Sequence, residues 1–272
     1  MKIAHLINDS PYSVMIADYY EQALAASVEQ DFYHFSTGEK VKYLNPRASQ
    51  TSVGDFDFSC LALYDIVIVN GLNLKLGYLN ACKGLKVWSV WGTEVYCSHY
   101  FHRNFFTGRS LYSRKTKRHL LNTPRAIFQG LKSDARYIKN AAEKKKALSE
   151  YDVCLCIFEE EFELIKSRLD LQQLLYWSLS VVPLESLVDV TTAPVALNGG
   201  NILLGNSATP ENNHVDIIDL LVENSSENVK IICPLSYGNK EYAATISKYG
   251  REHLGDRFVP LDKFLKIVFF IY

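Results

Sequence analysis

One pattern runs through the chain: a short apolar run, a polar break, then a segment whose apolar residues recur at helical spacing. Ile3 to Ile7, Phe32 to Phe35, Asp65 to Val69, Leu85 to Val90 and Val153 to Phe158 read as strands. Residues 14–28, 74–81 and 159–169 read as helices. Apolar strands without polar alternation are buried on both faces, which requires a parallel sheet with helices on each side. A polar, turn-rich stretch covers 37–58 and an apolar one 174–182. Pro183, Thr191-Thr192-Ala193-Pro194 and Asn198-Gly199-Gly200 then mark a linker, and the pattern restarts: strand 202–204, helix 212–222, strand 229–233, helix 240–249, a strand around Phe258 and a helix from near Leu261. The expected organisation is an α/β chain with a Rossmann-like domain over 1–183, a linker over 184–200 and a second Rossmann-like domain over 201–272. The second supplies fewer strands than the five or six of a complete doubly wound sheet.

At 272 residues and 48% hydrophobic content the chain can bury two ordinary cores. A charged fraction of 22% and a net charge of -1 exclude a disordered or globally basic protein, so an electrostatic partner must be met by a local patch. The opening Met1-Lys2-Ile3-Ala4-His5-Leu6-Ile7-Asn8-Asp9 turns polar before a signal-peptide core forms, so secretion is not expected. No apolar run approaches the roughly 18 residues that span a bilayer. The six cysteines (Cys60, Cys82, Cys97, Cys154, Cys156, Cys233) sit mostly in apolar contexts, as reduced structural thiols of a cytoplasmic protein do. Strand alternation puts Cys154 and Cys156 on one face, but no second Cys/His pair accompanies them, and no metal site is expected.

Ile202-Leu203-Leu204-Gly205-Asn206-Ser207-Ala208-Thr209-Pro210-Glu211 reads as a strand breaking into a helix, with Thr209 as N-cap, Pro210 at the first helical position, and Val215, Ile218 and Val222 on the buried face. The unpaired amides of such a helix start face whatever lies over Gly205, Asn206 and Ser207, which suits a diphosphate. An ordinary strand-to-helix turn is the alternative, since a single glycine turn is a weak motif.

Two α/β units with a phosphate-type turn opening the second resemble the GT-B architecture. Val90-Trp91-Gly92-Thr93-Glu94-Val95-Tyr96, Leu204-Gly205-Asn206-Ser207 followed by Asn212-Asn213-His214, and Val229-Lys230-Ile231-Ile232-Cys233-Pro234-Leu235-Ser236-Tyr237-Gly238 with Glu241-Tyr242 together resemble glycosyltransferase family 56. The resemblance covers almost the whole chain and is loosest over 37–58. It implies transfer of 4-acetamido-4,6-dideoxygalactose (Fuc4NAc) from a dTDP-sugar donor to a polyprenyl-diphosphate-linked acceptor, as in enterobacterial common antigen assembly. It further implies inversion at the anomeric carbon, no metal, no cofactor, and a donor bound by the second domain. In the family more chain follows the segment equivalent to Pro260-Leu261-Asp262-Lys263-Phe264-Leu265-Lys266-Ile267, so a C-terminally truncated product, inactive but still able to bind a membrane or partner, is the second expectation.

An inverting transfer needs a base for the acceptor hydroxyl and stabilisation of the departing diphosphate. Glu94, beyond the carboxyl end of a strand, is the first candidate base, and Asp9, after the first strand, the second. Glu94 can instead cap a helix or pair with an arginine, and Asn8 and Asp9 can cap the helix from near Tyr12. Gly71, Asn73, Trp91 and Gly92 are candidate acceptor contacts, with turn chemistry or core packing as their alternative roles. His214 can donate to the diphosphate or face solvent. Tyr237 and Tyr242 can pack on the base or sugar, a weak inference in a chain with 17 tyrosines.

Residues 99–147 hold thirteen Lys/Arg against Asp134 and Glu143. Arg103, Arg109, Arg114, Lys115, Lys117 and Arg118, interleaved with Tyr100, Phe101, Phe105, Phe106 and Tyr112, suit an anionic membrane surface and a peripheral position on the inner face of the plasma membrane. No recognition motif supports nucleic-acid binding. The plain alternative is a helix capped at Thr123 with Ile127, Leu131 and Ile138 inward and its lysines solvated.

Overall fold

The computed structural model describes residues 1–9, 13–24, 26–36, 48–72, 74–90, 112–171, 173–178 and 200–262. The chain divides into two compact units, the first made of Met1–Cys97, Arg103–Arg109 and Ala135–Pro183, the second of Ser98–His102, Ser110–Asp134 and Leu184–Tyr272. Residues 110–134, which the sequence pattern groups with the first domain, belong to the second unit.

The first unit is built on seven parallel strands: β1 (Lys2–Asn8), β2 (Glu29–Ser36), β3 (Ser49–Ser52), β4 (Ile66–Asn70), β5 (Leu85–Ser89), β6 (Val153–Cys156) and β7 (Leu175–Ser178), in the order β3-β2-β1-β4-β5-β6-β7. Its helices are α1 (Ser13–Ala23) and α4 (Glu159–Leu169). Alternation along β1 explains the two layers. Ile3 and Ile7 join Ile16, Ala17, Phe32 and Val87 on one face, while Ala4 and Leu6 join Phe35, Val69, Trp88, Phe162 and Ile165 on the other. Both Cys154 and Cys156 lie buried on that second face with their Sγ atoms 3.4 Å apart. The expected helix over 74–81 is absent; these residues form turns, buried at Leu74 and Leu79. Within the polar stretch 37–58, Ser49–Ser52 extends the sheet as an edge strand, because a short edge pairs through its backbone and needs no apolar face.

The second unit holds a smaller parallel sheet, order β10-β9-β8, from β8 (Ile202–Leu203), β9 (Ile231–Pro234) and β10 (Phe258–Leu261). Helices α5 (His214–Asn224) and α6 (Lys240–Leu254) pack on it through Val215, Ile218, Tyr242, Ile246 and Leu254 against Ile231, Cys233 and Phe258. Adjacent right-handed crossovers place both helices on one face of the sheet. Helix α2 (Arg114–Leu120) lies along α5: Ser113 and Thr116 donate their hydroxyls to Asp216, and Lys115 pairs with Asp219. Helix α3 (Pro124–Leu148), which belongs to the second unit up to Asp134 and to the first from Ala135 on, begins where its sequence signal stands, with the Ala126 amide donating to Thr123 Oγ1 at 3.2 Å. Its burial departs from expectation. Ile127, Leu131 and Ile138 are 40%, 52% and 51% exposed, and the inward positions include Gly130, Asp134 and Ala141.

Gly250 shows how tightly α6 sits on the sheet. A Cβ there would come within 2.5 Å of Phe258 Cε1. Alanine ordinarily stabilises a helix interior by about 1 kcal/mol over glycine, but this contact demands displacement of a core aromatic ring. Gly250→Ala is expected to lower the stability of the second unit by about 1–3 kcal/mol in a urea titration, read as a smaller midpoint with an unchanged slope.

Candidate functional site

The order of the first sheet sets the location of its site. From β1 the chain winds to β2 and β3 on one side, then returns to β4 and β5 on the other, so the topological switch point lies between β1 and β4. The register Ile7↔Asn70 brings the ends of these strands level, and Asn8, Asp9, Asn70 and Gly71 meet beyond them. Gly71 has φ +64°, a backbone conformation that favours glycine, and a Cβ there would lie 2.9 Å from Asn8 Nδ2, so the Asn8 side chain would have to shift to admit one. On the other side of β1, His34 pairs in register with Ile7, and the Asp9 amide donates to Phe35 O at 3.0 Å.

This pairing puts the Asp9 carboxylate 3.6 Å from His34 Nε2, with the imidazole fully buried and the carboxylate nearly so. Burial pulls the His34 imidazole below its ordinary value, against the opposing pull of Asp9. A neutral imidazole beside a carboxylate can orient it without neutralising it. Asn70 and Ser89 stand opposite one another on β4 and β5, both buried, and among the described residues Asn70 Nδ2 and Ser89 Oγ have no hydrogen-bond partner. Buried polar atoms are rarely orphaned unless they serve a ligand or a reaction. Sequence reasoning missed His34, Asn70 and Ser89. Their signal is a polar residue closing an apolar strand, as in Ile66-Val67-Ile68-Val69-Asn70.

In the second unit the expected phosphate seat is differently built. Thr209 makes no side-chain cap bond, Pro210–Asn212 form a single 3-10 turn, and Asn213 turns left-handed at φ 49° before α5 starts at His214. The helix therefore begins later than the Thr209-Pro210 signal predicts, because Asn tolerates the left-handed conformation that stops the first turn. The Asn212 amide binds the loop to itself, donating to Ser207 O at 2.9 Å, Ser207 Oγ at 3.1 Å and Thr209 Oγ1 at 3.2 Å. Ser207 is consequently buried, whereas Gly205 is half-buried and Asn206 exposed.

His214, expected to face the ligand from the helix start, is fully buried beside Gly205. Its Nδ1 lies 3.3 Å from the Tyr242 hydroxyl, and among the described residues its Nε2 has no partner. A Cβ on Gly205, where φ is +70°, would stand 2.9 Å from that Nε2. When the Tyr242 hydroxyl donates to Nδ1, the ring proton sits on Nε2 and faces the space above Gly205. Burial lowers the His214 pKa to about 4 and pushes the Tyr242 phenol up, so both are neutral near pH 7. Tyr242 is packed in the core of this unit and Tyr237 is half-buried in the neighbouring loop, its carbonyl accepting from the Ala208 amide at 2.7 Å. A groove of about 520 Å³ adjoins these loops, lined by Asn122, Thr123, Arg125, Pro210, Asn239 and Glu241 among others.

Glu94, Asn73, Trp91, Gly92, Arg103 and Arg109 lie outside the described residues. Arg114 and Arg118 are exposed on α2, Lys115 is engaged with Asp219, and Lys117 is half-buried, its pKa lowered by burial. Among the described residues no group of His, Cys, Asp or Glu is arranged to hold a metal ion, and no helix is long and apolar enough to cross a membrane.

No protein-family model and no curated protein matches the chain. Among solved structures, sucrose-phosphate synthase from Thermosynechococcus elongatus matches with a TM-score of 0.54 at 11% identity, over 97% of this chain and 71% of that one. UDP-GlcNAc 2-epimerase from Neisseria meningitidis, bound to UDP-GlcNAc, matches with a TM-score of 0.46 at 12% identity, over 98% and 74%. The E. coli heptosyltransferase WaaC with ADP-2-deoxy-2-fluoro heptose matches with a TM-score of 0.33 at 14% identity, over 98% and 78%. The likeness to sucrose-phosphate synthase identifies the fold as α/β of the GT-B type.

The buried histidines give a pH signature. His5, stacked on Phe32 and bonded to Gln30, and His214 are both lowered to about 4 by burial, against 6.5 when unfolded. Below pH 6.5 the unfolded chain takes up protons that the native one refuses, so stability falls as pH drops from about 6.5 to about 4, by on the order of 3 kcal/mol for each histidine. Melting near pH 4.5 is therefore expected well below melting at neutral pH; coincident curves would refute the buried neutral state.

Proposed function

We propose that the protein is an inverting glycosyltransferase that uses a nucleoside-diphosphate sugar as donor. The observation that carries this reading is the Asp9 carboxylate, held nearly buried beside a neutral His34 at the switch point of a GT-B-type fold. In the proposed reaction Asp9 accepts the proton of the acceptor hydroxyl as that oxygen attacks the anomeric carbon. The bond from that carbon to the diphosphate oxygen breaks on the opposite face, and the nucleoside diphosphate departs with the electron pair. His34 is a positioning residue that orients Asp9. Asn70 and Ser89, with unpartnered polar atoms beside Gly71, supply hydrogen bonds for a sugar hydroxyl.

The diphosphate is assigned to the loop that opens the second unit. Gly205 removes a side chain there, Asn206 is exposed, and the α5 amide dipole favours an anion, as does His214 Nε2 in the tautomer that accepts from Tyr242. Sugars linked to nucleoside diphosphates are the ligands of the epimerase and the heptosyltransferase described above, UDP-GlcNAc in the one and ADP-2-deoxy-2-fluoro heptose in the other. The finer reading follows the resemblance to glycosyltransferase family 56: a dTDP-activated deoxyamino sugar, Fuc4NAc, and a polyprenyl-diphosphate-linked acceptor reached at an anionic membrane surface, without a metal ion.

Replacing Asp9 separates the two candidate bases. With dTDP-Fuc4NAc and the lipid-linked acceptor, Asp9→Asn is expected to lower kcat by about 10²–10⁴-fold with KM for the donor little changed, while Glu94→Gln retains most of the rate. Full activity in Asp9→Asn with loss in Glu94→Gln would move the base to Glu94.

A further inference from the structure

We propose that α3 is an interfacial helix that lies in the surface of an anionic phospholipid bilayer. Its outward face carries Ile127, Phe128, Leu131, Ala135, Ile138 and Ala142, all exposed, at the three- and four-residue spacing that keeps one stripe in line along a helix. Phe128 is 67% exposed and Leu131 52%, values unusual for side chains that an aqueous surface normally covers. Beside this stripe runs a second row, Arg125, Lys132, Lys139 and Lys146, each seven residues after the last and every one exposed. Arg136 adds to it. The acidic residues of the helix are Glu143 and a buried Asp134, so the exposed face is strongly cationic in a chain whose net charge is -1.

The pairing of these two rows selects the occupant. An anionic bilayer presents phosphates at its surface and hydrocarbon just below, matching lysines whose stems lie along apolar surface and whose heads reach outward. Nucleic acid would satisfy the charges and leave Phe128, Leu131 and Ile138 in water. A second copy of this chain would bury the apolar stripe but set two cationic rows against each other. The seven lysines and arginines along its 25 residues rule out a transmembrane passage and leave the in-plane orientation. This anchor differs from the surface expected around α2, where Lys115 and Lys117 are already engaged or half-buried. It does not depend on the sugar-transfer reading.

Flotation of the purified full chain tests it, with vesicles of pure phosphatidylcholine and vesicles of equimolar phosphatidylcholine and phosphatidylglycerol. The protein is expected to float with the anionic vesicles and remain below with the neutral ones. The double variant Phe128→Ser/Leu131→Ser should weaken the partition by about tenfold or more, and Lys132→Gln/Lys139→Gln by about tenfold, with high salt weakening the wild type in the same direction. Both pairs are exposed, and circular dichroism checks that each variant keeps its fold. Equal partition to neutral vesicles, no partition to anionic ones, or wild-type binding by the Phe128→Ser/Leu131→Ser variant each overturns the proposal. Concentration-dependent dimerisation lost in that same variant assigns the stripe to a second copy and also overturns it. Flotation reads no sugar transfer, so its failure leaves the transferase reading standing, and a floating but inactive protein leaves the anchor standing.

Discussion

The parallel pairing of β1 with both β2 and β4 is the constraint on which the first unit depends. Because the backbone register is shared, Ile7 lies level with His34 on one side and Asn70 on the other, and the residues just beyond must meet at the carboxyl edge. Backbone hydrogen bonds help to hold the polar groups there. The Asp9 amide on Phe35 O is one such hold, and it fixes where the Asp9 carboxylate can reach. A slip of one residue in the β1–β2 ladder would turn Asp9 and His34 to opposite faces and dismantle the arrangement.

The second unit solves a related problem with less chain. Two loops that leave β8 and β9 are tied across by the parallel bridge of Ala208 to Gly238, where φ is +113° and a Cβ would strike Ala208 O at 2.6 Å. Asn239 then caps α6 by accepting from the Tyr242 amide, which aims the Tyr242 hydroxyl at His214. One glycine, one asparagine cap and one buried aromatic pair therefore determine the surroundings of Gly205.

Strand and helix order was legible because burial on both faces leaves uninterrupted apolar runs; Glu159–Leu169 appears with the bounds its pattern predicts. Where the structure departs from the pattern, contacts distant in sequence made a local choice. Thr209-Pro210 carries a sound helix-start signal, yet the Asn212 amide finds four acceptors in the preceding loop and the chain makes a 3-10 turn first. Ile127, Leu131 and Ile138 have the spacing of a buried face, and periodicity cannot say whether such a face meets a core or remains outside. Asp9 and Gly71 were recognisable as strand-end residues. The His34 partner and the orphaned Asn70 and Ser89 were not, since their meeting depends on strand order rather than on any motif.

Binding of the donor nucleotide is the most direct test of the account. Addition of saturating dTDP to the purified chain should raise its melting temperature by several degrees, as a ligand at about 100 times its Kd stabilises the native state by about 2.7 kcal/mol. Gly205→Val, which fills the space in front of His214 Nε2, should remove that rise. A melting temperature indifferent to dTDP and UDP alike, in a chain shown to be folded, would contradict the assignment of a nucleoside-diphosphate sugar to this protein.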